Sequence, residues 1–227
     1  MSKKIFITGT GTDVGKTYIS GLILKKLLEN HRRAAYYKAA VSGNERRPDG
    51  TLIPGDALYA KTVSGMKQPL TEMCPYIYET AVSPHLAAQT EGNPVDLDVV
   101  LKGFDQVCTQ YDYVVAEGSG GILCPLRFDD QEIYLEDFIK ARDLSCVIVA
   151  DAGLGTINSV VLTAEYMKNH GIVASGIIFN HFKPGCRLHE DNLFMCGHLT
   201  GLNVIACVKA GDMDLELSYE TLENLFV

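Results

Sequence analysis

The sequence predicts an α/β fold: a mainly parallel, twisted sheet with helices on both faces, in a single domain spanning residues 1–227. Three observations carry that prediction. Six short apolar runs rich in Val, Ile, Ala and Phe recur along the chain, and near-continuous apolar runs belong to strands covered on both faces. Longer amphipathic segments stand between them, which is the order of βαβ units with right-handed crossovers. A chain of 227 residues, 47% hydrophobic and 21% charged, fills one substantial core rather than two.

The elements follow in order. Ile5-Phe6-Ile7 places the first strand at Lys4–Thr8. A helix is predicted over Lys16–Asn30, because Ile19, Ile23 and Leu27, with Leu24 and Leu28 beside them, keep the i, i+4 spacing of one buried face. A second strand covers Ala34–Lys38. The rhythm then breaks: Val41–Asn93 is rich in Gly, Pro, Ser and charge and reads as one long loop, functional or disordered at that length. Beyond it come a helix at Leu97–Gln110, a strand at Tyr113–Glu117 and a helix at Leu135–Ala141. Strand Cys146–Ala150, helix Ile157–His170, strand Ala174–Asn180, helix Leu188–Thr200 and strand Val204–Val208 continue the alternation. The final "DMDLELSYETLENLF" reads as an acidic helix. No internal repeat, low-complexity tract or linker interrupts the chain.

Charge and cysteine use narrow the function classes. The net charge of −8 opposes binding to nucleic acid or an anionic membrane surface. It leaves a nucleotide possible as ligand, because a local nest of backbone N–H groups suffices for a phosphate. Seven cysteines, an odd number without a C-x-x-C pair, suggest neither a disulfide framework nor a zinc site. Cys146 and Cys207 fall in apolar runs, where a thiol acts as a small hydrophobe. A reduced, cytoplasmic setting is expected. "MSKKIFITG" is too short a core for a signal peptide, and no apolar stretch nears the ~20 residues that span a bilayer. A soluble protein with no nucleic-acid and no membrane partner is the expectation.

The chemistry concentrates in "FITGTGTDVGKTYIS", Phe6–Ser20. A phosphate-binding loop reads G-x-x-x-x-G-K-[ST], its backbone amides around the phosphates, its Lys on the β/γ-phosphates and its Ser/Thr on Mg²⁺. With Gly15-Lys16-Thr17 as the second half, the first Gly belongs at position 10, where Thr10 stands between Gly9 and Gly11. Gly-Lys-Thr alone fits an ordinary Gly-rich turn as well. Its context is stronger: an apolar strand enters and an amphipathic helix leaves, and a helix N-terminus offers free N–H groups and partial positive charge to an anion. Lys16 in a first helical turn opposes the helix dipole, so a bound phosphate is the better reason for it.

Three further residues fall where strands end. Glu117 closes "YDYVVAE" before Gly118-Ser119-Gly120-Gly121; it suits a Mg²⁺ carboxylate and equally a turn cap. Lys38 ends its strand on the same sheet edge as the loop, where open α/β sheets bind ligands. It could neutralise an anionic intermediate or simply be solvated. Asp56, before an apolar segment, reads as a helix N-cap or as a second metal carboxylate.

Taken together these residues resemble the dethiobiotin synthetases. Gly9-Thr10-Gly11-Thr12-Asp13-Val14-Gly15-Lys16-Thr17 is similar to that family's G-T-x-T-[DE]-V-G-K-T loop, which carries the same extra residue. Lys38 to Ser42-Gly43 resembles K-P-x-x-[ST]-G, Asp56-Ala57 its D-A, and Ser83-Pro84-His85 its S-P-H. Glu117-Gly118-Ser119-Gly120-Gly121 resembles E-G-[AS]-G-G, and Leu154-Gly155-Thr156-Ile157-Asn158 resembles L-G-[ST]-[IL]-N. The matches keep their order along nearly the whole chain.

The resemblance implies a phosphate-loop NTPase fold and an ATP- and Mg²⁺-dependent ligase of biotin biosynthesis, a homodimer. Such an enzyme carboxylates one amine of 7,8-diaminononanoate with CO₂, phosphorylates the carbamate with ATP and closes the ureido ring with the second amine, expelling phosphate. Carried over by position, Thr17, Asp56 and Glu117 would hold Mg²⁺. Lys38 and Lys16 would be catalytic, Lys38 on the carbamate. Nucleotide contacts would come from Asp13, Val14, Gly15, Lys16, Thr17, Tyr18, Asp56, Glu117, Gly118, Ser119 and Gly120, and around the base from Asn180, His181, Val208, Lys209 and Ala210. Thr12 and Ser42 would lie near the substrate, whose carboxylate would reach the helix start at Gly155, Thr156, Ile157 and Asn158 of the partner subunit. The chain departs from the pattern at Ala39, where the family has Pro; at His181-Phe182, where a polar pair is common after the Asn; and at Lys209, where a turn-closing Pro is usual.

Other readings compete. A partitioning or metallocentre-assembly ATPase, a switch acting through a partner protein, typically has a lysine near the loop's start, where Thr10 and Gly11 stand. A cobyric-acid-type synthetase needs an added glutaminase domain, for which 227 residues leave no room. A catalytically dead nucleotide-binding module would not need every charged group that the chemistry requires, yet all are present.

Overall fold

The computed structural model describes residues 2–227. In chain order the elements are β1 (Lys3–Gly9), α1 (Lys16–Glu29), β2 (Ala34–Lys38), β3 (Ala40–Val41), α2 (Gly55–Ser64), a 3₁₀ turn (Leu70–Glu72), β4 (Tyr76–Ile77) and α3 (Pro84–Glu91). There follow α4 (Leu97–Gln110), β5 (Tyr113–Glu117), β6 (Pro125–Phe128), β7 (Glu132–Tyr134), α5 (Leu135–Ala141), β8 (Cys146–Asp151), α6 (Thr156–Asn169), β9 (Ala174–Asn180), α7 (Arg187–Thr200), β10 (Val204–Cys207) and α8 (Tyr219–Glu223).

Six strands make one parallel sheet in the order β10-β9-β8-β1-β5-β2. Its strands are covered on both sides, so the two-residue alternation separates two cores rather than core from solvent. Ile5 and Ile7 pack with Ile19, Ile23 and Leu27 of α1 and Ala57 and Ala60 of α2. Phe6, between them, packs with Phe104 of α4, Phe138 of α5 and Val160 of α6 on the opposite face. Phe6, Tyr37, Phe104 and Phe138 form edge-to-face ring pairs there, with centroids 5.1–6.0 Å apart.

Two expectations are corrected. Val41–Asn93 is not one loop: it carries β3 and β4, paired in parallel, with α2, the 3₁₀ turn and α3. The glycines and prolines read as breakers are punctuation. Gly65 and Gly92 end α2 and α3 in the left-handed conformation, and Pro84 stands at the first position of α3, as helix stops and starts require. The acidic terminal helix shrinks to α8, whose Ser218 side chain accepts from the Thr221 amide at 3.0 Å. The stretch before it lies instead along α1, where Lys25 and Lys26 donate to the carbonyls of Met213 and Leu215. The β6–β7 hairpin is an element the sequence reading did not anticipate. Among the described residues no helix is long and apolar enough to cross a membrane.

Candidate functional site

β1, β5 and β2 are neighbours, with β2 at the sheet edge, and the register sets the last residues of β5 and β2 side by side. Glu117 lies opposite Ile7 on one side and Lys38 on the other. Between β1 and α1 the loop turns through Gly15, whose φ of +92° is a left-handed value. A Cβ added there would stand 2.1 Å from Asn180 Nδ2, so both backbone and space demand glycine. Asn180 Nδ2 donates to the Val14 carbonyl at 3.2 Å, tying β9 to the loop.

Lys16 opens α1, 7% exposed, and its Nζ donates to the Gly11 carbonyl at 2.8 Å. Burial, with the charge of Lys38 next in weight, lowers its pKa to about 8 against the opposing pull of Glu117 and Asp56. Glu117 is fully buried. Its Oε1 accepts from Thr17 Oγ1 at 2.8 Å and from Lys38 Nζ at 2.9 Å, and its Oε2 accepts from Ser20 Oγ at 2.9 Å. Lys38 donates also to Asp56 Oδ2 at 2.6 Å.

Lys38 is therefore neither solvated nor unpaired. Burial alone would drive its pKa down, but Glu117 and Asp56 outweigh it and hold the ammonium protonated above the usual lysine range. Asp56 is not an N-cap: Pro54 holds that position, and Asp56 sits within the first turn of α2. Glu117 takes no part in a turn cap, since both its oxygens are used by side chains.

These groups share one cavity of about 900 Å³. It brings together Thr12, Asp13, Gly15, Lys16, Thr17, Tyr18, Lys38, Ser42, Asp56, Glu117, Ser119 and Gly120. Tyr18 donates its hydroxyl to the Asp212 carbonyl, Ser42 to that of Val82 and Ser119 to that of Ala40. Val14 and Gly118 flank the cavity without lining it. Val41, Tyr59, Val82, Leu123 and Cys124 line it unanticipated. Leu123 and Cys124 lead into the β6–β7 hairpin, which gives no strong periodic signal, and Tyr59 and Val82 sit in the segment read as loop. Ser20 was also missed, though its place one turn after Thr17 on α1 put it on the same side of the helix.

The other expected residues lie outside that cavity. Asn180 is 1% exposed, and its Oδ1 is buried with no partner among the described residues. His181, at a φ of +56°, pairs through Nδ1 with Asp151 Oδ2 at 2.7 Å. Val208 is buried, and both its backbone groups are committed: its amide donates to Phe179 O at 2.7 Å and its carbonyl accepts from Phe182 N at 2.9 Å. The Lys209 amide donates to Asp212 Oδ2 at 2.9 Å, and Ala210 is exposed. Gly155 caps α6 at a φ of +91°, followed by Thr156, Ile157 and Asn158. The Thr156 hydroxyl is buried without a partner among the described residues, and Leu154 just before is 91% exposed.

The oxygen set fits magnesium better than a softer metal. Among the described residues no three His, Cys, Asp or Glu converge to cage an ion. Two carboxylates drawn around one ammonium, with a hydroxyl on one of them, are the oxygen donors that a cation keeping water and phosphate ligands requires. Thr17, Asp56 and Glu117 are the residues that would hold it.

The chain matches the model of a family described as "AAA domain" over residues 3–212. It is 45% identical over 227 residues, all of both chains, to the ATP-dependent dethiobiotin synthetase BioD of Brachyspira hyodysenteriae. It is 44% identical to that of Clostridium perfringens (strain 13 / Type A), over 92% of this chain and 91% of the relative. Solved structures share the fold at much lower identity. The MinC:MinD cell division protein complex of Aquifex aeolicus superposes with a TM-score of 0.58 at 12% identity, over 99% of this chain and 86% of that one. A ParA family ATPase from Chlorobium tepidum TLS gives 0.54 at 15%, over 93% and 85%. The strand order, the loop joining β1 to α1 and identity along the full length lead to one assignment: this chain belongs to the ATP-dependent dethiobiotin synthetase family.

Proposed function

We propose that the chain is an ATP- and Mg²⁺-dependent ligase that closes the ureido ring of dethiobiotin from 7,8-diaminononanoate and CO₂. The observation that carries this reading is Lys38, a buried ammonium held between Glu117 and Asp56 in the cavity that also contains Lys16 and Thr17. One amine of the substrate adds to CO₂ and loses a proton, giving a carbamate. A carbamate oxygen takes the γ-phosphoryl group of ATP, releasing ADP. The second amine then attacks the carbamate carbon, expelling phosphate and a proton as the ring closes.

This chemistry gathers negative charge, and the protein's task is to position and offset it. An ammonium has three N–H donors. Two from Lys38 are used on Glu117 and Asp56, which leaves the third for a carbamate oxygen. Lys16, now satisfied by the Gly11 carbonyl, has a mobile stem with which to turn to the β/γ-phosphates, and phosphate restores the protonation that burial weakens. Bound magnesium would supply charge neutralisation of the phosphates. Thr12, Ser42 and Ser119 offer hydroxyls along the same cavity, with Val41, Val82 and Leu123 as apolar wall for the methylene chain.

The homodimer belongs to this reading. Gly155–Asn158 lies outside the cavity at a helix N-terminus suited to a carboxylate, and the exposed Leu154 beside it suits burial against a second copy. A cytoplasmic location follows from the substrates. Purified protein given ATP, Mg²⁺, bicarbonate and the diamine should form ADP only when the diamine is present. Diamine-independent hydrolysis stimulated by another protein would replace the ligase with a switch of the partitioning type.

A further inference from the structure

We infer that Ser20 is a positioning residue for Glu117, setting which carboxylate oxygen faces the cavity. The inference rests on the reading that Glu117 serves a magnesium–nucleotide complex. Thr17 and Ser20 are three residues apart on α1, so their hydroxyls leave the same side of the helix. Each takes a different oxygen of Glu117: Thr17 Oγ1 lies 2.8 Å from Oε1, Ser20 Oγ 2.9 Å from Oε2. Lys38 Nζ also meets Oε1.

A carboxylate torsion is broad and close to two-fold, so nothing in the glutamate itself chooses between its oxygens. Tying Oε2 to α1 turns Oε1 toward Lys38 and Thr17. A serine within a helix ordinarily returns its proton to the carbonyl one turn back. Ser20, wholly buried, gives it to Glu117 instead. Among the described residues Ser20 is the one hydrogen-bond donor to Oε2. Tyr36 supplies the contrast: its hydroxyl is buried on the same face of the sheet, where burial and next the charge of nearby Glu117 push its pKa up, yet it makes no hydrogen bond among the described residues. Oε2 is thus anchored by the Ser20 hydroxyl, while Thr17 and Lys38 hold Oε1.

The test compares Ser20→Ala, Ser20→Thr and Tyr36→Phe. Mn²⁺ binding in the presence of ADP is read by electron paramagnetic resonance, beside kcat, KM for the diamine and urea stability. Ser20→Ala should weaken Mn²⁺ binding about tenfold, the scale for losing an outer partner of a metal ligand, and lower kcat by a similar factor with KM for the diamine within twofold. Ser20→Thr should recover most of the Mn²⁺ affinity, and Tyr36→Phe should leave Mn²⁺ affinity unchanged. If wild-type protein binds Mn²⁺–ADP and Ser20→Ala binds it equally well while losing only stability, this inference is overturned and the site reading stands. An equal loss in Tyr36→Phe would also overturn it. If the wild-type chain binds no Mn²⁺–ADP, the reading of the site falls and takes this inference with it.

Discussion

Replacing Lys38 by methionine keeps much of the side-chain length and removes the ammonium, which tests whether that charge holds the site together. Glu117 is fully buried and Lys38 5% exposed, whereas Asp56 is 39% exposed. The cost should therefore come from Glu117, since partly exposed pairs contribute little. Leaving one buried charge without its partner costs about 3–5 kcal/mol, a large share of the roughly 5–15 kcal/mol that stabilises a domain. For a chain of this size that lowers Tm by roughly 6–20 °C. Glu117→Gln in the Lys38→Met background removes the stranded charge, so the double variant should regain most of the loss, with a coupling of about 2–3 kcal/mol. Urea unfolding followed by circular dichroism, at pH 7 without metal, gives all four corners of the cycle. Two single losses that add to within about 0.5 kcal/mol would refute the argument, because Lys38 and Glu117 would then not be compensating one another.

The remaining predictions concern the loop, its lysine and a thiol. Gly15→Ala forces a side chain into a left-handed φ and against Asn180; it should cost about 1–3 kcal/mol and weaken nucleotide binding, as calorimetry would measure. In the metal-free protein the folded chain gives up the Lys16 proton near pH 8, whereas the unfolded chain holds it to 10.5. The unfolded state then binds more protons between those values, so stability should rise with pH across them by up to about 3 kcal/mol relative to Lys16→Met. Equal pH slopes for the two proteins would contradict this. Burial pushes the Cys124 thiol up to about 11 despite the nearby charges of Lys38 and Lys16. Iodoacetamide at pH 8 should therefore label it about a hundredfold more slowly than an unperturbed cysteine, by mass spectrometry of the digested protein.

Strands were readable where both faces are buried, because an apolar run bounded by turn residues leaves few alternatives. Ala34–Lys38, Tyr113–Glu117 and Ala174–Asn180 begin and end where the structure has them. The pieces between Val41 and Asn93 were not. α2 and α3 have 10 and 8 residues with short apolar stripes, and their Gly and Pro residues mean "cap" only once the helix they cap is known. Among the site residues, Lys16, Thr17, Lys38 and Glu117 were visible because each stands at an element boundary on the ligand-bearing edge. Ser20 was hidden in a helix interior, where only the depth of its partner reveals a task. The ion pair from Lys38 to Asp56 was equally hidden, since it joins residues on separate elements and depends on how α2 docks.

The alignment of Lys38, Glu117 and Thr17 has a kinetic corollary. Glu117 lies 79 residues from Lys38 and 100 from Thr17 along the chain, and β1 joins its sheet neighbours only after both β5 and β8 have been made. Such distant closures are slow and entropically expensive. The capacity to bind Mg–nucleotide should consequently be among the last properties a refolding chain acquires, which makes ligand capture a sensitive reporter of completed folding.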